Sequence, residues 1–316
     1  MAGRSDTTNF HFSLFNIQFG SGFARLGIST SFEVGNLGKI SEALKKSNLE
    51  FSDVNENKGA IGESKVSRPS SQDRHNAFEY QKIDKNIITI SKPYSVEAEQ
   101  FKKLRTAILF PSSGKSPRSI LVTSALPNEG KSFVAANLAV SIAQNIDEHV
   151  LLMDCDLRIP TIHTCFGFKK TPGLSDYLSG EQTLDTLFLK SAVDKLTILP
   201  GGGPVSNPAE LLSSEQMSKL LSDLKARYSN RYIVIDSPPP QLTSETTAIA
   251  RQVDGILVVI KHGTTRREHV VDLIDMLGKD KIIGVVLNQF TQELSRSSYD
   301  GYYGKYHQKD NPKKKK

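Results

Sequence analysis

The sequence predicts an α/β fold in which a mostly parallel sheet carries helices on both faces. The first observation is a series of short apolar runs without polar alternation, at 120–124, 150–154, 196–199, 232–236, 256–260 and 282–287. Such runs are typical of parallel strands buried on both faces. The second observation is helical spacing of apolar residues between the runs, and strand–helix alternation favours this fold class.

Helices are predicted at 96–109, 131–144, 215–227 and 268–277. In the first of these, Ala98, Phe101 and Ile108 recur at helical spacing. The helix at 131–144 directly follows the first long strand, and the helix at 215–227 precedes the strand at 232–236.

Four regions of different composition divide the chain. Residues 1–37 are rich in Phe, Gly and Ser without a sustained period, so we expect a poorly ordered extension. Residues 38–86 begin with a short helical pattern and continue as a polar linker. The α/β domain is expected at 87–290, and residues 291–316 are expected to form a flexible tail with clustered tyrosines and terminal lysines.

Charge and cysteine content exclude several classes of protein. The chain has 40 basic and 34 acidic residues, and four of the basic ones form the terminal run 313–316. Without that run the balance is nearly even, so a nucleic-acid partner has no electrostatic support. Cys155 and Cys165 are too isolated to suggest a metal site or a disulfide framework. No stretch approaches the roughly 18 apolar residues expected of a membrane span.

A phosphate-binding loop is predicted between the first long strand and the helix that follows it. Gly130-Lys131-Ser132 completes the pattern GxxxxGK[ST], although Ala125 replaces its first glycine. We expect Lys131 to bridge the β- and γ-phosphates of ATP and the Ser132 hydroxyl to bind Mg²⁺. Backbone N–H groups would contact the phosphates. The residues predicted to bind the cofactor are Asn128, Glu129, Gly130, Lys131, Ser132 and Phe133.

Three carboxylates follow two of the predicted strands. Asp236 ends one strand, and Asp154 and Asp156 follow another. Residues two apart in extended backbone point the same way, and like charges at that distance need a cation. We therefore predict that Asp156 and Asp236, with Ser132, hold Mg²⁺. Asn288, after the last strand, is a candidate for contact with the adenine.

Taken together, these segments resemble the bacterial tyrosine kinases (BY-kinases), the autokinases of exopolysaccharide and capsule export. The segment from Asp154 to Arg158 has the form DxDxR of that family's second Walker-like motif, and residues 207–212 are similar to another of its stretches. The resemblance covers roughly residues 84 to 306. The helix at 38–46 and its linker are also similar to the subgroup associated with exosortase-type loci.

The resemblance implies a P-loop NTPase fold and a protein-tyrosine autokinase that uses ATP and Mg²⁺. For that reaction we predict that Asp154 takes the proton of the attacking tyrosine, because a hydroxyl with a pKa of about 10 needs a nearby base. Lys131, Asp156 and Asp236 are the other predicted catalytic residues. The expected phosphorylation sites, modified between subunits, are Tyr299, Tyr302, Tyr303 and Tyr306.

The resemblance also implies partners. Glu99, Lys102 and Arg105 match the family's ring-assembly helix, although Lys102 stands where the family has arginine, and lysine lacks the bidentate fork. A homo-oligomeric ring, a separate membrane chain-length regulator that activates the kinase and a counteracting tyrosine phosphatase are expected. The implied location is the cytoplasm, with recruitment to the inner membrane face through the partner.

Two alternatives remain at the level of sequence. A ParA/MinD-like ATPase switch would share the loop and the sheet, but such proteins carry an extra lysine at the start of the loop, where this chain has Ser124 and Ala125. They also need no tyrosine tail. The second alternative is a non-enzymatic assembly module in which the nucleotide only stabilises a ring.

Overall fold

The computed structural model describes residues 12–15, 83–111, 114–227, 231–241 and 243–289. Within these ranges the sheet has eight strands in the order β1-β8-β7-β2-β6-β3-β5-β4. Six central strands run parallel, and β1 and β4 are antiparallel edges. The strands are β1 Phe12–Phe15, β2 Ser119–Ser124, β3 His149–Asp154, β4 Leu189–Lys190, β5 Leu196–Leu199, β6 Arg231–Asp236, β7 Gly255–Lys261 and β8 Ile282–Asn288.

The helices connect successive strands. Their bounds are α1 Ile88–Ser91, α2 Val96–Leu109, α3 Lys131–Ala143, α4 Ile162–Cys165, α5 Leu174–Leu178, α6 Pro208–Leu212, α7 Glu215–Arg227, α8 Glu245–Ala250 and α9 Arg267–Leu277. Helix α2 begins where the Ser95 side chain accepts a hydrogen bond from Ala98 N, and two acidic residues in its first turn favour the helix dipole.

Hydrophobic clusters cover both faces of the sheet, which confirms the predicted fold class. Along β2, Ile120 and Val122 pack with α1, α2 and α3, whereas Leu121 points to the opposite cluster with α5 to α9. Successive side chains of a strand point to opposite faces, so each strand must be apolar throughout. This burial explains the unbroken apolar runs of the sequence.

The described residues add short elements that the sequence pattern did not predict. Strand β4 has two residues and α1 has four, lengths too short to show a period. Strand β1 pairs with β8, so four residues of the predicted N-terminal extension belong to the sheet. The rest of that extension, the helix at 38–46 and the whole tail at 291–316 lie outside the described residues, and the domain boundaries stay predictions.

Among the described residues, no helix has the length and apolar content that crossing a bilayer requires. Helix α3 packs against the sheet with every residue from Val134 to Ala143 buried. Its burial fixes the phosphate-binding loop at its N-terminus to the centre of the sheet.

The packing of α2 on α3 predicts a large stability difference between two phenylalanines. Phe101 is fully buried and its ring meets that of Phe133 edge to face at 5.9 Å. We expect Phe101→Ala to lower the free energy of unfolding by about 3–5 kcal/mol in denaturant titrations. The matched control is Phe110→Ala, because Phe110 is 72% exposed and should change stability by about 0.5 kcal/mol. Equal effects of the two changes would contradict this packing.

Candidate active site

The carboxyl ends of three central strands meet at one edge of the sheet. The Cα of Asp236 is the register partner of Asp154 on β3 and of Val122 on β2. The phosphate-binding loop leaves β2 at the same edge and enters α3. In parallel sheets this edge, outside the strand ends, is where ligands bind. The structure therefore brings together the loop and the carboxylates that the sequence singled out.

The backbone of the phosphate-binding loop is shaped by two left-handed residues. Asn128 has a φ of 60° and is exposed at the loop tip, and Gly130 has a φ of 92° directly before α3. A Cβ built on Gly130 would lie 2.1 Å from the Asn288 side-chain nitrogen, so this position accepts only glycine. Ala125, at the first motif position, is fully buried in the core, where its methyl group packs.

Lys131 and Asp156 face each other across the mouth of the site. The Lys131 Nζ lies 3.4 Å from Asp156 Oδ2, and their side chains are 14% and 11% exposed. The lysine thus has a fixed anionic partner in this structure. An incoming phosphate would compete with Asp156 for the ammonium group, because both are anions.

Asp236 is a fully buried carboxylate without a hydrogen-bond partner of good geometry in the described part of the chain. Burial raises its pKa to about 7, although Lys131 and the nearby Ser132 hydroxyl act to lower it. An unsatisfied buried carboxylate is costly unless a proton or cation compensates it. The arrangement of Asp236 and Ser132 therefore fits Mg²⁺, which binds through few protein oxygens plus phosphate and water.

Among the described residues, no three His, Cys, Asp or Glu side chains form a complete metal site. The predicted ligands Ser132, Asp156 and Asp236 fit this finding, because one of them is a hydroxyl and the remaining positions would belong to phosphate and water.

Asp154 has a structural task that the sequence did not reveal. Its Oδ2 accepts hydrogen bonds from the backbone of Thr161 (2.9 Å) and Ile162 (3.0 Å), and its Oδ1 accepts one from Asp156 N (3.2 Å). The carboxyl group therefore anchors the loop that carries Asp156 and Arg158. Complete burial and the Asp236 charge raise the pKa of Asp154 well above its ordinary value.

Arg158 is held by a residue that the sequence analysis missed. Its Nε lies 2.9 Å from Oε1 of Glu245, a side chain 1% exposed at the start of α8. The other Glu245 oxygen is buried without a hydrogen-bond partner in the described ranges. The Arg158 side chain itself is 54% exposed. Nothing in the sequence pattern marks Glu245, because 87 residues separate it from Arg158 and the fold alone brings them together.

Two predicted cofactor contacts need refinement. The ring of Phe133 packs on Phe101. The group of Phe133 that could bind a phosphate is therefore its backbone N–H and not its side chain. The Asn288 side chain is fully buried and donates to the backbone oxygen of Glu129 at 2.8 Å. Its amide is therefore used to hold the loop, which argues against the expected contact with adenine.

The residues of the predicted assembly helix have partners within the chain. Lys102 lies 3.1 Å from Glu99 along α2, and Arg105 donates to the backbone oxygen of Ser141 on α3 at 2.9 Å. Their role between subunits stays a prediction. All four predicted phosphorylation sites, Tyr299, Tyr302, Tyr303 and Tyr306, lie outside the described residues.

The burial of Asp236 predicts a pH-dependent stability of the nucleotide-free protein. The pKa of an unfolded aspartate is about 4, whereas that of Asp236 is raised to about 7. Between these pH values the folded chain holds a proton that the unfolded chain has released, so stability is lost as pH rises from about 4 to about 7. We expect Asp236→Asn to raise the melting temperature at pH 8 by at least about 2–4 °C and by less at pH 5.

Thermal unfolding at both pH values measures this difference, and Asp272→Asn on the exposed face of α9 is the matched control. A difference between wild type and Asp236→Asn that is equal at pH 5 and pH 8 would show that Asp236 does not titrate in this window.

Comparison with known proteins shows where the chain belongs. The family model described as the CobQ/CobB/MinD/ParA nucleotide binding domain matches residues 120–311. Tyrosine-protein kinase YwqD of Bacillus subtilis (strain 168) is 36% identical over 225 residues, 71% of this chain and 93% of that protein. Putative tyrosine-protein kinase CapB of Staphylococcus aureus is 32% identical over 215 residues, 67% of this chain and 92% of that protein.

A solved structure agrees with these relatives. The kinase domain of Escherichia coli tyrosine kinase ETK matches 67% of this chain and 82% of its own length, with a TM-score of 0.61 and 28% identity. The matching family model also includes MinD and ParA, so it establishes the nucleotide-binding fold without choosing among activities. The two relatives named as tyrosine kinases match this chain over 93% and 92% of their own lengths, so the nucleotide-switch alternative is set aside. The chain belongs to the bacterial tyrosine-kinase family.

Proposed function

We propose that this protein transfers the γ-phosphoryl group of ATP to tyrosines in the tail of a neighbouring copy, at Tyr299, Tyr302, Tyr303 and Tyr306. The observation that carries the proposal is the fully buried Asp236, whose carboxylate has no hydrogen bond of good geometry from the described residues and lies beside Lys131 and Ser132 at the N-terminus of α3. The helix N-terminus and the loop N–H groups favour phosphate, and the carboxylate favours a cation between the two.

The proposed nucleotide site uses the loop backbone from Asn128 to Phe133. Lys131 would exchange Asp156 for a phosphate oxygen and place positive charge where the transferring group gains negative charge. Ser132, Asp156 and Asp236 would hold Mg²⁺, which when bound neutralises phosphate charge. Positioning and electrostatic stabilisation of this kind supply most of the catalysis in phosphoryl transfer.

Asp154 is our proposed acceptor of the tyrosine proton. A tyrosine hydroxyl has a pKa of about 10, so it needs a base as the new bond forms. The raised pKa of Asp154 makes its carboxylate more basic than an ordinary aspartate. Its Oδ1 accepts one backbone hydrogen bond and keeps capacity for another.

Asp154→Asn separates the chemical task of this residue from its structural task. If Asp154 is the base, we expect phosphorylation to fall about 10²–10⁴-fold while Mg²⁺–ATP binding is retained. Phosphotyrosine formation and calorimetric nucleotide binding are the two measurements. If phosphorylation and Mg²⁺–ATP binding are lost together, Asp154 anchors the loop and does not act as the base. Wild-type protein that binds Mg²⁺–ATP without forming phosphotyrosine in the presence of an activator tail would refute the kinase proposal itself.

Replacing Tyr299, Tyr302, Tyr303 and Tyr306 together by Phe tests the acceptor sites. We expect most of the incorporated label to disappear, because these hydroxyls are the proposed acceptors. The fold and nucleotide affinity should stay as in the wild type. The control is Tyr94→Phe, a tyrosine 78% exposed ahead of α2. Label that persists on the quadruple variant at the wild-type level would place the acceptors elsewhere.

The cellular setting follows from the same family. We propose that the protein acts in the cytoplasm as a homo-oligomeric ring and regulates exopolysaccharide synthesis or export. A separate membrane chain-length regulator would recruit it to the inner face of the membrane and activate it, and a tyrosine phosphatase would reverse the modification. The resemblance of residues 84–306 to capsule and exopolysaccharide autokinases supports these partners.

A further inference from the structure

A buried carboxylate lies inside the phosphate-binding loop itself. Glu129 is 2% exposed, next to Gly130 and Lys131. A negative charge at this place opposes the binding of phosphate by Coulomb repulsion. Its side chain is nevertheless fully engaged: Oε2 accepts a hydrogen bond from Leu126 N at 2.8 Å, and Oε1 accepts the Thr265 hydroxyl. The carboxylate thus closes the loop on itself and ties it to another part of the site.

Thr265 belongs to the turn between β7 and α9. Its hydroxyl oxygen accepts a hydrogen bond from Lys261 N at 2.9 Å, so the hydroxyl position is fixed by the end of β7. The hydroxyl hydrogen is then directed to Glu129. Through this contact, Glu129 is held by the end of β7, although the loop that contains Glu129 follows β2.

Asn288 holds the same loop residue from the end of β8. Its side-chain nitrogen donates to the Glu129 backbone oxygen at 2.8 Å, and its side-chain oxygen accepts from Gln289 N at 2.9 Å. His262 N donates to the Asn288 backbone oxygen at 2.9 Å, which fixes the two strand ends to each other. The amide also fills the space beside Gly130.

We propose that Glu129, Thr265 and Asn288 act as positioning residues that hold the phosphate-binding loop in its binding conformation before the nucleotide arrives. We call these three residues the loop brace. The inference rests on the proposed function, because it assigns the brace to ATP binding. When the loop is already ordered, ATP binding does not have to compensate the entropy lost in ordering it, so the affinity for ATP is higher.

Loss of the brace has a distinct kinetic signature. The loop contacts phosphate both before and during transfer, so a disordered loop weakens ground-state and transition-state binding to a similar extent. Such a loss raises KM with little change in kcat. A defect in the reacting groups, by contrast, lowers kcat at saturating ATP. We therefore expect brace variants to recover phosphorylation at high Mg²⁺–ATP.

The test uses the full chain and two disruptive changes, Glu129→Ala and Asn288→Leu. Each change removes a hydrogen-bond partner of a buried group in the loop. We therefore expect Mg²⁺–ATP affinity, measured by calorimetry, to fall about tenfold. Glu129→Gln is the rescue variant: its oxygen accepts from Leu126 N, and its amide donates to Thr265 Oγ1. It should recover most of the affinity lost in Glu129→Ala.

Thr89→Val is the matched control for general destabilisation. Thr89 is a buried threonine whose hydroxyl contacts Asn137 along α3, away from the phosphate-binding loop. It should lower the melting temperature and leave Mg²⁺–ATP affinity as in the wild type. An affinity loss in Thr89→Val as large as in Glu129→Ala would mean that destabilisation, rather than the brace, explains the effect.

Affinities of Glu129→Ala and Asn288→Leu within threefold of the wild type would overturn the inference, as would a fall in kcat at saturating ATP with unchanged KM. A wild-type chain that fails to bind Mg²⁺–ATP overturns it too. Binding by the wild type without phosphotyrosine formation refutes the proposed kinase function alone. The brace is then still judged by the calorimetric affinities of the variants.

Discussion

The placement of two aspartates side by side on neighbouring parallel strands is the constraint on which the rest of the site depends. Asp154 and Asp236 are register partners, both fully buried, and each raises the electrostatic cost of the other. Asp154 is stabilised by three backbone N–H groups, whereas Asp236 accepts no hydrogen bond of good geometry within the described ranges. The two carboxyl groups at this sheet edge therefore differ in hydrogen bonding. A cation is most stabilising beside Asp236, whose charge those backbone hydrogen bonds do not compensate.

The loops around this pair are organised by buried acids that accept backbone N–H groups. Asp154 shapes the loop that carries Asp156, and Glu129 shapes the phosphate-binding loop. Hydrogen bonds from several N–H groups stabilise a buried carboxylate without a counter-ion, and they fix the backbone at the same time. Lys131 and Asp236, two of the side chains proposed to interact with the nucleotide and Mg²⁺, take no part in this anchoring among the described residues.

Family membership and geometry answer different questions about this chain. Similarity to tyrosine kinases identifies the branch of the nucleotide-binding fold. The geometry adds that Asp154 combines an anchoring task with its proposed chemical one. It also adds that the α2 cations Lys102 and Arg105 already have partners within the chain. Any contact they make between subunits must therefore replace or share these interactions.

The sequence by itself determined the fold class, the position of the phosphate-binding loop and the strand that ends at Asp236. These features are local, because an unbroken apolar run or the spacing of Gly130, Lys131 and Ser132 needs only neighbouring residues to be recognised. The burial of both sheet faces makes those runs apolar, so the core could be predicted with the strands.

Only the tertiary structure decided which side chains meet at the site. The pairing of Glu245 with Arg158 and of Thr265 and Asn288 with Glu129 joins residues far apart in the chain. Their identities carry no periodic signal, since a single threonine or asparagine after a strand is also common in ordinary turns. The parallel sheet brings its strand ends to one edge, and that convergence turns isolated polar residues into one connected site.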